Sequence, residues 1–215
     1  MSDAAEVTRL FLILPPRLEP ERFAPLLADA LASGDVAAVL IASEMGGREA
    51  EAVAAKLVPI VQNAGAAALI ADDTRLAGHV KADGVHVGSG LDDLRLAVAS
   101  FRPKRIVGAG NFTSRHASMQ AGEMEPDYLF FGRPHGDTHD SPHPKALALA
   151  EWWSELMRVP AVVMAGRSLD SVAEAAATGA AFVAVHDAVW SHAEGPGEAV
   201  RMAEAALGRR GRRAA

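Results

Sequence analysis

Short apolar runs alternate with helical patterns along almost the whole 215-residue chain, and this alternation limits the fold more than any other feature. Each run is too short for a buried helix and predicts a strand, whereas the segments between them carry apolar residues at helical spacing. The predicted strands cover residues 10–14, 36–41, 67–71, 84–87, 105–108, 128–131, 161–164 and 181–185. Predicted helices cover residues 20–33, 48–63, 74–80, 91–100, 113–122, 145–157 and 198–207. One further helix is predicted to be capped by Ser168 and to end near residue 178.

Strict alternation with short connections predicts right-handed βαβ units and a parallel sheet. Eight such units favour an α/β fold with a single (β/α)8 TIM barrel over residues 1–208, followed by a short basic tail at 209–215. A doubly wound open sheet is the structural alternative. In a barrel the site lies at the carboxyl ends of the strands. The residues at these ends are Pro15, Ser43, Asp72, Gly88, Asn111, Arg133, Gly166 and His186.

Composition narrows the classes of function. The chain has no cysteine, which excludes disulfides and cysteine-based sites, and its net charge of -6 gives no support for nucleic-acid binding. No apolar run reaches the roughly 18 residues of a membrane span. The N-terminal segment MSDAAE is acidic in net charge, unlike a secretory signal peptide, so we expect a cytoplasmic protein without membrane contact. Whether the protein forms a homo-oligomer is left open.

Two segments carry a resemblance to a known family. The first segment follows the third predicted strand and consists of Asp72 and residues 74–77, TRLA. The second segment, residues 82–88 with the sequence ADGVHVG, contains the fourth predicted strand. These segments resemble the thiamine phosphate synthase family, and the later strands match it in order and spacing. The resemblance implies a transferase that couples a hydroxymethylpyrimidine pyrophosphate to a thiazole phosphate and releases pyrophosphate.

The resemblance also implies site residues. Two acids of the family hold Mg2+, which prefers oxygen ligands. Asp72 matches the first acid, and Asp92 lies one residue beyond the position of the second, beside Asp93. Capping of the next helix is the structural alternative for Asp72, and first-turn helix acids are the alternative for the other two. Asn111 and His135 are the candidate catalytic residues, after strands five and six. A small phosphorylated substrate is expected to bind after strands seven and eight, at Gly166, Arg167, Ser168 and His186.

The chain departs from the family where it holds the diphosphate. Residues 40–44, LIASE, lack the glutamine, arginine and lysine that follow strand two in the family, and the lysine after strand six is also missing. Three hypotheses therefore remain open: a synthase, a degenerate barrel that binds a phosphorylated ligand without catalysis, and a different metal-dependent enzyme. The third would use the loop from His135 to His143, which carries three histidines and two aspartates.

Overall fold

A closed barrel of eight parallel strands organises the protein. The computed structural model describes residues 7–42, 44 and 46–208. The strands are β1 (Arg9–Ile13), β2 (Val36–Ile41), β3 (Ala67–Ala71), β4 (Gly84–Val87), β5 (Ile106–Ala109), β6 (Tyr128–Phe131), β7 (Ala161–Met164) and β8 (Phe182–Val185). They follow one another in chain order around the barrel, and β1 closes it against β8 in the register Arg9↔Phe182 to Leu12↔Val185. The barrel prediction is confirmed, and the open-sheet alternative is wrong.

The helices cover the outside of the barrel. They are α1 (Pro20–Ala32), α2 (Gly47–Asn63), α3 (Thr74–His79), α4 (Leu91–Phe101), α5 (Arg115–Gly122), α6 (Pro144–Leu156), α7 (Ser171–Ala176), α8 (Asp187–Trp190) and α9 (Pro196–Gly208). Within the described residues, no helix combines the length and apolar character that a membrane span requires. Ser43, the first six residues and the predicted tail at 209–215 lie outside the described residues.

Alternation along each strand divides the core into two layers, because successive strand side chains point to opposite faces. Phe11 and Ile13 point into the barrel with Phe130, whereas Leu10 and Leu12 pack outward against the helices. The interior is therefore a packed core rather than a channel, and ligands are left with the rim formed by the loops.

Two local predictions differ from the structure. Ser168 does not cap α7, because its hydroxyl accepts a hydrogen bond from the N–H of Asp170 in a turn that precedes the helix, and α7 begins only at Ser171. The four-residue helix α8 directly after β8 is not predicted, since one turn is too short to show an apolar period.

Candidate active site

A cavity of about 550 Å3 opens at the carboxyl end of the barrel, over the ends of β2 to β6. It brings together three of the predicted site residues, Asp72, Asn111 and His135, although they are far apart in the sequence. The full lining is Ala42, Ala71, Asp72, His86, Gly88, Asn111, Gly132, Arg133, Pro134 and His135. We call this cavity the barrel mouth.

Asp72 reaches the mouth through an unusual backbone conformation. Its φ is +52°, in the left-handed region that non-glycine residues rarely adopt, and such strain is typical of functional positions. Its Oδ1 accepts hydrogen bonds from the N–H groups of Gly88 (2.7 Å) and Ser89 (3.2 Å). The helix-capping alternative belongs to the neighbouring residue, because the Asp73 side chain accepts from the N–H of Leu76 at the start of α3. Asp72 is thus held at the rim, and its side chain does not cap α3.

The two acids at the start of α4 face different ways. The Asp92 side chain is 94% exposed and pairs with Arg95 one turn later, so the structure does not bring it to Asp72. Asp93 instead lines a cavity of about 240 Å3 together with Asp72 and Ser89. Two carboxylates and a hydroxyl are the hard oxygen donors that Mg2+ prefers, so the donor chemistry of Asp72, Asp93 and Ser89 suits this metal.

Asn111 and His135 are fixed by backbone carbonyls. Asn111 has a φ of +66°, which asparagine tolerates better than most residues, and its side-chain N–H donates to Gly88 O at 3.3 Å. The Nε2 atom of His135 lies 3.1 Å from Leu14 O. Because a carbonyl oxygen only accepts, Nε2 carries the proton, and Nδ1 is left as an acceptor in the neutral ring.

A second cavity, of about 470 Å3, adjoins the mouth between the loops after β5 and β6 and the start of α6. It shares Asn111, Arg133 and His135 with the mouth and adds His143 and Lys145. Within the described residues, the charged ends of Arg133 and Lys145 have no hydrogen-bond or ion-pair partner. Unpaired cations beside a cavity favour an anionic ligand. Lys145 is not among the residues predicted for the site, although its place in the first turn of the helix after strand six is a signal in the sequence for its position beside this cavity.

His86 forms the floor of the mouth. It is 2% exposed, and its Nδ1 lies 3.0 Å from the hydroxyl of Tyr128. Burial lowers the pKa of His86 to about 4, against the opposing effect of the Asp72 carboxylate, and burial also raises the pKa of Tyr128 well above its usual range. Both groups are therefore neutral near pH 7, so His86 serves as an interior hydrogen-bonding residue at the base of the site.

The region predicted for phosphate holds a carboxylate of the chain itself. Asp137 is 7% exposed, and its two oxygens contact His186 Nδ1 at 3.1 Å and the N–H of Asp187 at 2.8 Å. Burial alone would raise the pKa of Asp137, but the hydrogen bonds from His186 and Asp187 outweigh it and hold this pKa below its usual value. Arg167, the predicted phosphate cation, pairs with Asp187 at 3.4 Å.

The histidine-rich loop uses its polar groups for internal bonds. His143 caps α6 by accepting from the N–H of Lys145, His135 bonds to Leu14, and Asp137 bonds to His186. Over residues 7–42, 44 and 46–208, no three histidine, aspartate or glutamate side chains come close enough together to hold a metal ion. The hypothesis of a metal enzyme built on this loop therefore finds no support in its geometry.

Fold and site together define a (β/α)8-barrel protein whose mouth carries the charged residues Asp72 and Arg133. The family described as thiamine monophosphate synthase matches residues 10–189. The thiamine-phosphate synthase of Rhodospirillum centenum is 39% identical over 198 residues, which is 89% of this chain and 94% of that protein. That of Hyphomonas neptunium is 35% identical over 213 residues, or 94% and 96% of the two chains.

Among solved structures, thiamine phosphate pyrophosphorylase from Pyrococcus furiosus superposes with a TM-score of 0.76, covering 96% of this chain and 98% of its own at 23% identity. This likeness supports the fold. The family match and the two relatives go further, and the chain belongs to the thiamine monophosphate synthase family.

Proposed function

We propose that this chain is a thiamine-phosphate synthase-like transferase, which couples a hydroxymethylpyrimidine diphosphate to a thiazole and releases pyrophosphate. In this reaction the bond between the pyrimidine methylene carbon and the diphosphate oxygen breaks, and the thiazole nitrogen forms the new bond to that carbon. The observation that carries the proposal, in a member of this family, is the pair of adjoining cavities. Asp72 and Arg133 line the barrel mouth, and Arg133 and Lys145 line the second cavity.

The leaving pyrophosphate takes up negative charge as the bond breaks, so the main task is to stabilise that charge. Arg133 and Lys145 supply positive charge from the β6 side of the mouth. These two cations replace the arginine and lysine with which the family binds the diphosphate after strand two. Each charge-assisted contact is worth roughly 1.5–3 kcal/mol, so two cations replace much of the missing stabilisation.

Asn111 and His135 stand where the two cavities meet and hold the pyrimidine diphosphate in line with its partner. The hydrogen bond that His135 Nε2 donates to Leu14 O sets the orientation of the ring, which leaves Nδ1 to accept a hydrogen bond from substrate. Asp72 and Asp93 are the carboxylates that would hold Mg2+, which, when bound, neutralises the diphosphate and makes it a better leaving group. Because Gly88 and Ser89 fix Oδ1 of Asp72, its Oδ2 is the oxygen available to an ion.

The test is release of pyrophosphate from hydroxymethylpyrimidine diphosphate by the full chain with Mg2+, with thiazole phosphate and the unphosphorylated thiazole alcohol offered separately. We expect release that depends on a thiazole and a condensed product detected by mass spectrometry. Absence of pyrophosphate and product with both thiazoles, at enzyme concentrations matching the substrate, would refute the proposed function.

A further inference from the structure

The ring of His135, which lines both cavities of the site, is held from two directions. Its Nε2 lies 3.1 Å from Leu14 O. Its ring also meets the ring of His186, with the centroids 5.0 Å apart and the planes at 74°. Aromatic rings favour such an edge-to-face contact. A single hydrogen bond would let the ring swing about its donor, whereas the second contact limits that rotation and so fixes the direction of Nδ1.

His186 is itself fixed by a buried carboxylate. Its Nδ1 lies 3.1 Å from Asp137, which also accepts from the N–H of Asp187 at 2.8 Å. Burial would raise the pKa of Asp137, but these hydrogen bonds outweigh it and keep the carboxylate charged near pH 7. Because a carboxylate in this state only accepts, Nδ1 of His186 carries a proton. A partner of this kind sets both the orientation and the tautomer of an imidazole.

A tight turn connects His135 to one of the unpaired cations. The N–H of Gly136 donates to Arg133 O at 2.9 Å, so residues 133–136 form a turn with His135 inside it. Arg133 lines the same two cavities as His135. A shift of the His135 ring that moves this turn therefore also displaces the guanidinium group of Arg133.

The loop that carries Asp137 is anchored beyond this turn as well. The N–H of Arg167, after β7, donates to His139 O at 2.8 Å, and the N–H of Ser168 donates to Asp140 O at 3.3 Å. Asp137 is thus presented to His186 by a segment that is held on both sides. His135, Asp137 and His186 form a connected arrangement in which each side chain has a defined direction.

We infer that His186 is a positioning residue of the proposed active site: held by Asp137, its ring keeps His135 in the orientation that presents Nδ1 to the substrate. His186 is not among the residues that line the two cavities, so it acts through His135. The inference rests on the proposed function for the contact between His135 and substrate. The orientation of the His135 ring, however, can be measured without turnover.

The first test follows the His135 ring in proton–nitrogen correlation spectra of the full chain without substrate. We expect one tautomer, with the proton on Nε2, and nuclear Overhauser contacts between the rings of His135 and His186. His186→Ala removes the ring contact and should populate both tautomers of His135. His186→Phe keeps an aromatic ring at this position and should restore the single tautomer.

Two results of these spectra would overturn the inference. One is a mixture of His135 tautomers in the unaltered chain, and the other is a single Nε2–H tautomer in His186→Ala. If neither variant folds, the unaltered chain decides the question through its tautomer and its ring contacts, because absence of either would contradict the assignment.

The second test measures pyrophosphate release at saturating thiazole phosphate. His186→Ala should lower kcat/KM for the pyrimidine diphosphate by about tenfold or more, since misplacing a substrate contact by about 1 Å can cost on the order of a hundredfold. His186→Phe should recover most of this loss. His116→Ala, at an exposed histidine of α5, is the matched control and should leave kcat/KM unchanged.

The two tests separate the inference from the proposed function. If the unaltered chain releases no pyrophosphate, the proposed function fails, and the tautomers of His135 still decide whether His186 positions it. If the chain is active but His186→Ala reacts like His116→Ala, or His186→Phe is as impaired as His186→Ala, the positioning role is refuted.

Discussion

The two halves of the barrel rim carry similar residues in opposite states. On the β3–β6 side, Arg133, Lys145 and one oxygen of Asp72 face open cavities. On the β7–β8 side, Arg167 is paired with Asp187, and Asp137 is buried against His186. The halves meet where the rings of His135 and His186 touch, with centroids 5.0 Å apart. The two sides therefore differ in whether their charged groups already have partners among the described residues, and not in how many charged groups they carry.

The largest effect should come from Asp72, the carboxylate on the β3–β6 side of the rim, which we call the open half. Asp72→Asn keeps an oxygen that can accept from Gly88 and Ser89 but removes the negative charge, so we expect pyrophosphate release to fall by about 10²–10³, the usual cost of one preorganised electrostatic contact. Steady-state kinetics with varied Mg2+ measure this loss.

Asp73→Asn is the matched control, because it changes the adjacent acid, which caps α3, and asparagine also caps well. It should lower neither activity nor melting temperature appreciably. Equal losses of activity in Asp72→Asn and Asp73→Asn would show that the reaction does not take place on the β3–β6 side of the rim.

The next effect is on stability and comes from His86, the buried histidine of β4. Because burial lowers the pKa of His86 to about 4 from its usual 6.5, the unfolded chain binds the proton first as pH falls. The stability contributed by neutral His86 is therefore complete above about pH 6.5 and is lost as the pH falls to about 4, by on the order of 3 kcal/mol. Urea unfolding at pH 7 and pH 4.5 measures this loss.

His86→Phe removes the titrating group and should flatten the pH dependence of unfolding over this range. His79→Phe, at a largely exposed histidine, is the control and should keep the steep dependence. A His86→Phe protein that loses as much stability on acidification as the unaltered chain would contradict the assignment.

The unpaired cations of the open half should have a somewhat smaller effect. Removing Arg133 or Lys145 takes away one charge-assisted contact, worth roughly 1.5–3 kcal/mol, so each alanine variant should lose about 10–100-fold in kcat/KM for the pyrimidine diphosphate. Lys104→Ala, an exposed lysine just before β5 and therefore at the opposite end of the barrel, should leave these constants unchanged. If Arg133→Ala and Lys145→Ala behave like Lys104→Ala, the diphosphate does not bind between them.

The smallest effect tests how tightly the loop between β6 and α6 packs on the β7–β8 side of the rim, which we call the filled half. Gly166→Ala places a methyl group against the backbone oxygen of Asp140, which cannot rotate away, so the loop must shift at a cost of roughly 1–3 kcal/mol. Gly46→Ala is the control, because an added methyl there meets no described atom within 4 Å. Denaturant unfolding gives the stabilities. If the two variants are equally stable, the loop is not packed on β7 as described.

Sequence reasoning located the rim but could not choose between neighbouring acids. The helix pattern placed Asp92 and Asp93 in the first turn of α4, yet adjacent helix positions differ by about 100° in direction, and only Asp93 lines a cavity together with Asp72. In the same way Asp73 caps α3 and leaves Asp72 for the mouth, a division decided by a positive φ that the sequence does not reveal.

The filled half was missed for a different reason. The loop from His135 to His143 has the composition of a surface loop or a metal site, and no helix or strand period can be read across its one glycine and one proline. Its role follows from contacts with residues distant in the chain, such as Asp137 with His186, 49 positions apart. Only loop closure over the barrel end brings these groups together.

By itself, the sequence determined the eight apolar strands, their alternation with helices and hence the barrel, because these signals are local and repeat at fixed periods. It also determined the family, through the segments around Asp72 and Gly88. The tertiary structure alone decided which charges are paired and which are free. That choice depends on distances between side chains on different loops, which the periodicity of no single segment contains. The unpaired cations Arg133 and Lys145 and the buried carboxylate of Asp137 are its two outcomes.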